Sequence, residues 1–229
     1  MPPLTMVKRV VSRARRKPVI PDNMLLYALF EGSTSGIPLP EWAPQVGTGF
    51  GGGDTADYTV FSNHVAQDAS SGYSTAWSLD APSTADYQVF LVGNTQVAGD
   101  DNRFGVAARG NGEWWPARDA YTFDILGDGT WQLWRRLDIE SSTMLADGAI
   151  TGFSPGTRYR LMIHPQGTGA TVTLEYELRE FDTNTVRVDG TGASAYQDTD
   201  ANRITVIGVP GFYMRDENVR ATEMWVPGP

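Results

Sequence analysis

The chain has 229 residues, 41% of them hydrophobic, and its 18 Lys and Arg against 27 Asp and Glu leave a formal net charge of -9 at neutral pH. That apolar fraction, with 7 Trp, 9 Tyr and 9 Phe, excludes general disorder and suffices for one large core. The absence of cysteine excludes a disulfide framework and a thiolate metal site, and no run approaches the roughly eighteen consecutive apolar residues of a membrane helix.

In chain order, the first element is a basic arm over residues 1–23. Lys8, Arg9, Arg13, Arg15, Arg16 and Lys17 give it +6 with no acid in the first 17 residues, so the remainder, with 12 basic and 27 acidic side chains, carries -15. Such blocks mark an interaction tail on a separately folded body. Val7, Val10, Val11 and Ala14 fall at helical spacing, with Thr5 as a candidate cap and Pro18 as a stop. A helix this short is marginal alone, so the arm is expected to order on a partner. The basic start resembles that of a secretory leader, but Pro21, Asp22 and Asn23 interrupt the apolar run a leader needs. A soluble protein without a leader is therefore expected.

From residue 24 to 229 the texture is β. "MLLYALF" is followed by a Gly/Pro-rich stretch over residues 31–54, expected to wrap the surface without regular structure. Short strand-like runs then recur, among them "DYTVFSNHVA", "DYQVFLVG", "NRFGVAAR", "AYTFDIL", "TWQLWRRLDI", "TRYRLMIHP", "ATVTLEYELREF", "NTVRVDG", "RITVIG" and "RATEMWV". In "TVTLEYELR" Val172, Leu174, Tyr176 and Leu178 share one face and Thr173, Glu175, Glu177 and Arg179 the other, the mark of a half-buried strand. Trp131 and Trp134 fall on opposite faces of theirs, so at least one belongs to the core. "GDG" at 127–129, "DG" at 147–148, "PG" at 155–156 and "QGTG" at 166–169 are hairpin signals. About twelve antiparallel strands joined by short turns predict an all-β fold, a two-sheet antiparallel jelly-roll sandwich with an N-terminal arm.

The order of "LFEG", "YTVFSNHV", "DYQVFLV", "RFGVAAR", "YTFDILGDGTWQLWRR", "TRYRLMI", "TVTLEYEL" and "ATEMWV" resembles the concanavalin A-like lectin/glucanase superfamily, including laminin G-like jelly rolls, over roughly residues 24–226. The resemblance implies the fold; members include lectins, glycanases, adhesion modules and viral structural domains, so it leaves function open.

That fold hosts more than one chemistry. Glycanases on it resemble E-x-D-x-x-E, which Glu175, Glu177 and Glu180 reproduce with Glu at the centre, but strand parity points Glu180 away from Glu175. His64 and His164 stand apart without a neighbouring Ser or second His, which predicts neither a catalytic triad nor a zinc site. "DTDAN", with Asp198, Asp200 and Asn202, imitates the start of a calcium loop, but Arg203 takes the place of the required Gly and Val209 that of the bidentate Glu. "GDDN" at 99–102 is a second acidic loop, and both are expected to be solvated turns. No cofactor and no metal are expected. In "NGEWWPARDAY", Trp114, Trp115, Arg118 and Tyr121 form the candidate carbohydrate-binding set, since exposed aromatics stack on sugar faces.

A basic arm also suits nucleic acid, but a body at -15 repels a polyanion, so an acidic protein surface is the expected target. The layout of arm, wrap and sandwich resembles bacteriophage virion proteins such as capsid decoration, head-fibre or tail components. That resemblance implies a non-enzymatic structural protein on the particle surface, with capsid or other virion proteins or copies of itself as partners, and a cell-surface glycan as a further ligand. A soluble lectin is the alternative.

Overall fold

Alternation, clearest over Val172–Glu180, gives a strand one apolar face, and two sheets built from such strands bury those faces against each other. The computed structural model describes residues 24–30, 37–38, 50–51, 58–60, 64–67, 73–111, 119–137, 141–216 and 218–228. The expected arm and most of the Gly/Pro-rich stretch lie outside them.

The strands are β1 (Met24–Leu29), β2 (Ile37–Pro38), β3 (Phe50–Gly51), β4 (Tyr58–Val60), β5 (Val65–Gln67), β6 (Tyr73–Ser78), β7 (Val89–Thr95), β8 (Arg103–Gly110) and β9 (Ala120–Leu126). They continue as β10 (Thr130–Arg136), β11 (Thr143–Ala149), β12 (Tyr159–Gln166), β13 (Val172–Glu180), β14 (Val186–Gly190), β15 (Tyr196–Asp198), β16 (Val209–Arg215) and β17 (Val219–Pro227). A ten-stranded sheet runs β14-β13-β12-β7-β17-β5-β4-β2, with β1 also on β17 and β15 on β13; a seven-stranded sheet runs β11-β10-β9-β8-β16-β6-β3. The expected two-sheet antiparallel jelly-roll sandwich is the observed fold. Among the described residues, no helix is long and apolar enough to cross a membrane.

Leu91, Leu161, Leu174, Leu178 and Met224 of the larger sheet meet Phe104, Val106, Phe123, Ile125, Leu133 and Phe212 of the smaller, all fully buried. Phe212 centres an aromatic group, with ring centroids 5.5 Å from Phe30, 5.6 Å from Phe50 and 5.4 Å from Tyr58. The outer face of the smaller sheet is not a plain solvated surface. Thr122, Asp124, Arg136 and Tyr213 are buried there, and the Arg136 guanidinium lies 4.8 Å from the Trp134 ring centre and 5.5 Å from that of Tyr213.

Several local expectations are corrected. "DYTVFSNHVA" is two short strands, β4 and β5, paired with each other. The Gly/Pro-rich stretch contributes β2 and β3. "RITVIG" is a loop, and the strand follows it as β16. The "DG" at 147–148 is no turn but the middle of β11, because Trp131 on β10 lies across Gly148: a Cβ there would come within 2.8 Å of the indole nitrogen. Gly190 on β14 sits likewise under Tyr176, and the Trp131 and Tyr176 rings meet at 5.4 Å. Two edge glycines thus admit the aromatic pair that closes one side of the sandwich. Trp131 serves the core and Trp134 the outer face.

The registers fix the two ends. At one end lie Met24, the loops 79–88, 167–171 and 199–208, the described residues 111, 119, 137, 141 and 142, and the close of β17. The other end holds the turns at 96–102, 127–129, 150–158 and 181–185, with Asp216 and Asn218.

Gly190→Ala places a methyl carbon 2.3 Å from the Tyr176 ring. It is expected to lower unfolding free energy by roughly 1–3 kcal/mol, read by urea denaturation, as overpacking does.

Candidate binding site at the loop end

The loop end is organised by an arginine. β8 carries a bulge opposite β16, where the register passes from Val209↔Gly110 to Gly211↔Ala107, and Arg109 within it has a left-handed φ of 55°. That backbone turns its side chain off the sheet and into the loops. There Nε donates to Ala85 O at 2.9 Å, Nη1 to Ile204 O at 2.6 Å, and Nη2 to Gly167 O at 2.8 Å and Asp86 Oδ1 at 3.2 Å. Loops from both sheets are therefore tied to one guanidinium that is 1% exposed. Burial lowers its pKa and Asp86 opposes that shift. The Arg109 backbone N–H donates to the Tyr87 hydroxyl, which donates to Gly208 O at 2.9 Å. Gly208 is needed for close approach, since a Cβ would lie 2.4 Å from the carbonyl carbon of Arg109.

A second tie holds the same loop from its other side. Asp198, 2% exposed, accepts from Tyr121 Oη at 2.7 Å through Oδ2 and from Arg135 Nη1 at 2.7 Å through Oδ1. The Tyr121 hydroxyl also accepts the Ile204 N–H at 2.9 Å. Burial raises the Tyr121 pKa, with the hydrogen bond to Asp198 second. Arg135 reaches on to Asp200 Oδ2 at 3.2 Å, and the N–H of Asn202 donates to Asp200 Oδ1 at 2.7 Å, which together hold the Asp200 carboxyl below its usual pKa.

Between this loop and the seven-stranded sheet opens a cleft of about 470 Å³ lined by Asp119, Leu137, Ser141, Asn202, Arg203, Ile204, Thr205 and Val206. Arg203 is oriented by bonds to Gly169 O at 2.6 Å and Asp200 O at 2.8 Å. Polar groups and aliphatic side chains thus share one concavity, the composition of a small-molecule site. Beside it Val206 is 64% and Ile207 53% exposed.

The residues expected from sequence fare differently. Trp114, Trp115 and Arg118 lie outside the described residues, between Asn111 and Asp119, whose backbones bond at 3.1 Å. Tyr121 is corrected: it begins the buried face of β9, is 0% exposed, and spends its hydroxyl on Asp198 and Ile204, so it cannot stack on a ligand. The docking residues Lys8, Arg9, Arg13, Arg15, Arg16 and Lys17 lie outside the described residues.

Glu175 and Glu180 stand five positions apart on the unbroken strand β13, roughly 17 Å along it, far beyond the 5–5.5 Å of a retaining pair. Each is engaged separately: Glu175 accepts from Gln166 at 2.8 Å and the Gly192 N–H at 3.0 Å, and Glu180 pairs with Arg187 at 2.6 Å. Glu177 pairs with Arg160 at 3.2 Å and Arg179 at 2.5 Å. The calcium-like Asp198 and Asp200 are held by Arg135, and Asp101 of the other acidic loop by Arg215 at 2.6 Å. Among the described residues, no group of three or more His, Asp or Glu side chains converges as a metal site would.

No family model matches the chain, and no curated protein sequence matches it. Solved structures share its fold. The Ca2+/Man2-bound form of the VIP36 exoplasmic/lumenal domain superposes with a TM-score of 0.57 at 10% identity, covering 90% of this chain and 88% of that one. Its metal-free form gives 0.56 at 12%, covering 90% and 92%. The metal-free Emp46p carbohydrate recognition domain gives 0.52 at 12%, covering 84% and 95%. The chain therefore shares the two-sheet jelly-roll fold of these domains.

Arg109→Leu strips donors from the Ala85, Gly167 and Ile204 carbonyls. It is expected to cost roughly 3–5 kcal/mol in urea denaturation. Arg109→Lys is expected to recover less than half of the loss, because one ammonium cannot reach acceptors spread around a planar fork.

Proposed function

We propose that the chain is a non-enzymatic carbohydrate-binding module whose ligand sits in the loop-end cleft. The observation that carries this reading is the cleft itself: Asp119, Ser141, Asn202 and Arg203 beside Leu137 and Val206, on walls braced by Arg109 and Asp198. A pyranose has that dual character, hydroxyls on its rim and aliphatic C–H faces. The fold is also that of the VIP36 domain solved with mannose, which makes glycans the first ligands to test. Trp114, Trp115 and Arg118 join the proposal by their place in the sequence, since their segment ends at Asp119 on the cleft wall. A glycan array is expected to give specific hits. The paired change Ser141→Ala with Asn202→Ala is expected to weaken the best hit by about tenfold or more, without a change in melting temperature, because it removes two hydrogen-bonding groups. A blank array overturns the reading.

A second reading is favoured by the segregation of +6 in the arm from -15 in the body. In it the arm docks on an acidic protein surface of a larger particle, a virion being the layout it resembles, and the sandwich is the adhesive domain. Deleting residues 1–17 is then expected to abolish co-sedimentation with the parent particle while glycan binding persists. Equal co-sedimentation of the shortened chain overturns it.

A further inference from the structure

The side of the sandwich closed by Trp131 and Tyr176 has a property that ligand binding does not use. β11 ends the seven-stranded sheet, and among the described residues no strand pairs with its outer edge. Its sequence, TMLADGA, holds one charge and no proline or lysine. Exposed edges usually carry such guards against association. β14, the facing edge of the other sheet, does so: Arg187 pairs with Glu180 at 2.6 Å and reaches Thr151 O at 3.1 Å. Apolar surface runs along the same side. Met144 is 45% and Val186 41% exposed, and Trp131, Leu145, Val188 and Tyr196 are only partly covered.

We propose that this side joins two copies of the chain, β11 against β11, antiparallel about a two-fold axis. A second copy is the partner that the charges fit. Arg135 offsets one charge of Asp198 and Asp200 and Arg187 offsets Glu180, so only a small part of the body's -15 falls among these side chains. The strand's own irregularity selects the axis. Side-chain parity requires the axis to pass through a residue. At Ala146 it would run the pairing through a bulge, because Leu133 pairs with Ala146 and Trp134 with Met144, leaving Leu145 unpaired. At Asp147 it would set two carboxylates opposite each other, which destabilises a ladder. At Gly148 it meets neither obstacle: Asp147 faces the second copy's Ala149, and Ala146 faces its Ile150. The glycine on the axis also permits close approach, its Cβ space being filled by Trp131 of its own chain.

Static light scattering of the full chain at about 100 μM tests this, because association depends on concentration. A dimer is expected. Ala149→Asp places a carboxylate opposite Asp147 twice and is expected to raise the dimer dissociation constant about tenfold or more. Asp147→Lys combined with Ala149→Asp restores opposite charges and is expected to restore the dimer. Ala149→Lys, facing the second copy's Asp147, is expected to retain it. A monomeric wild-type chain overturns the proposal, as does a dimer indifferent to Ala149→Asp or lost equally in Ala149→Lys.

Discussion

One buried cation sets the shape of the loop end. A guanidinium taken out of water is costly unless its donors are met, and Arg109 meets them with three carbonyls and a carboxylate from three separate loops. The left-handed φ at Arg109 is part of the same device, because a side chain kept in strand geometry would lie on the sheet and reach none of them. Backbone strain, buried charge and loop position therefore stand or fall together. Asp198 repeats the logic with opposite sign, an acceptor held by Tyr121 and Arg135.

Rigidity at this end matters for recognition, since a site pays in affinity for every loop it must order on binding. The cleft walls are loops, yet Ile204 at their base is bonded at both N–H and carbonyl by side chains of the seven-stranded sheet. Met24 pairs with Pro227 at this same end, so the first described strand begins where the cleft opens.

Much of the sandwich was legible in the sequence because alternation is a local property: Val172 to Leu178 read as one buried face and are one. The crossings between strands were not, since no periodicity tells that β17 lies between β7 and β5. β11 was missed because Asp147-Gly148 has turn chemistry, and only the Trp131 ring across the glycine explains its place in a strand. Tyr121 was misjudged by proximity to two tryptophans, although the run "AYTFDIL" already alternated with Tyr121 on the Phe123 face. Asp198 and Asp200 were expected in a solvated turn, and Asp198 is instead buried, because carboxylate spacing cannot reveal an arginine arriving from β10. Arg109 carried no signal beyond an arginine before glycine at a strand's end, and its role exists only once distant loops are in place.

The central claim is that the loop end braced by Arg109 and Asp198 is the ligand-binding end. Backbone amide NMR during titration with an array-selected oligosaccharide tests it most directly. The account predicts saturable shift changes concentrated at Asp119, Ser141 and residues 202–206, with the opposite end and the outer face of the ten-stranded sheet unmoved. Changes centred on β12 and β13, or on the turns at 96–102 and 127–129, would contradict it.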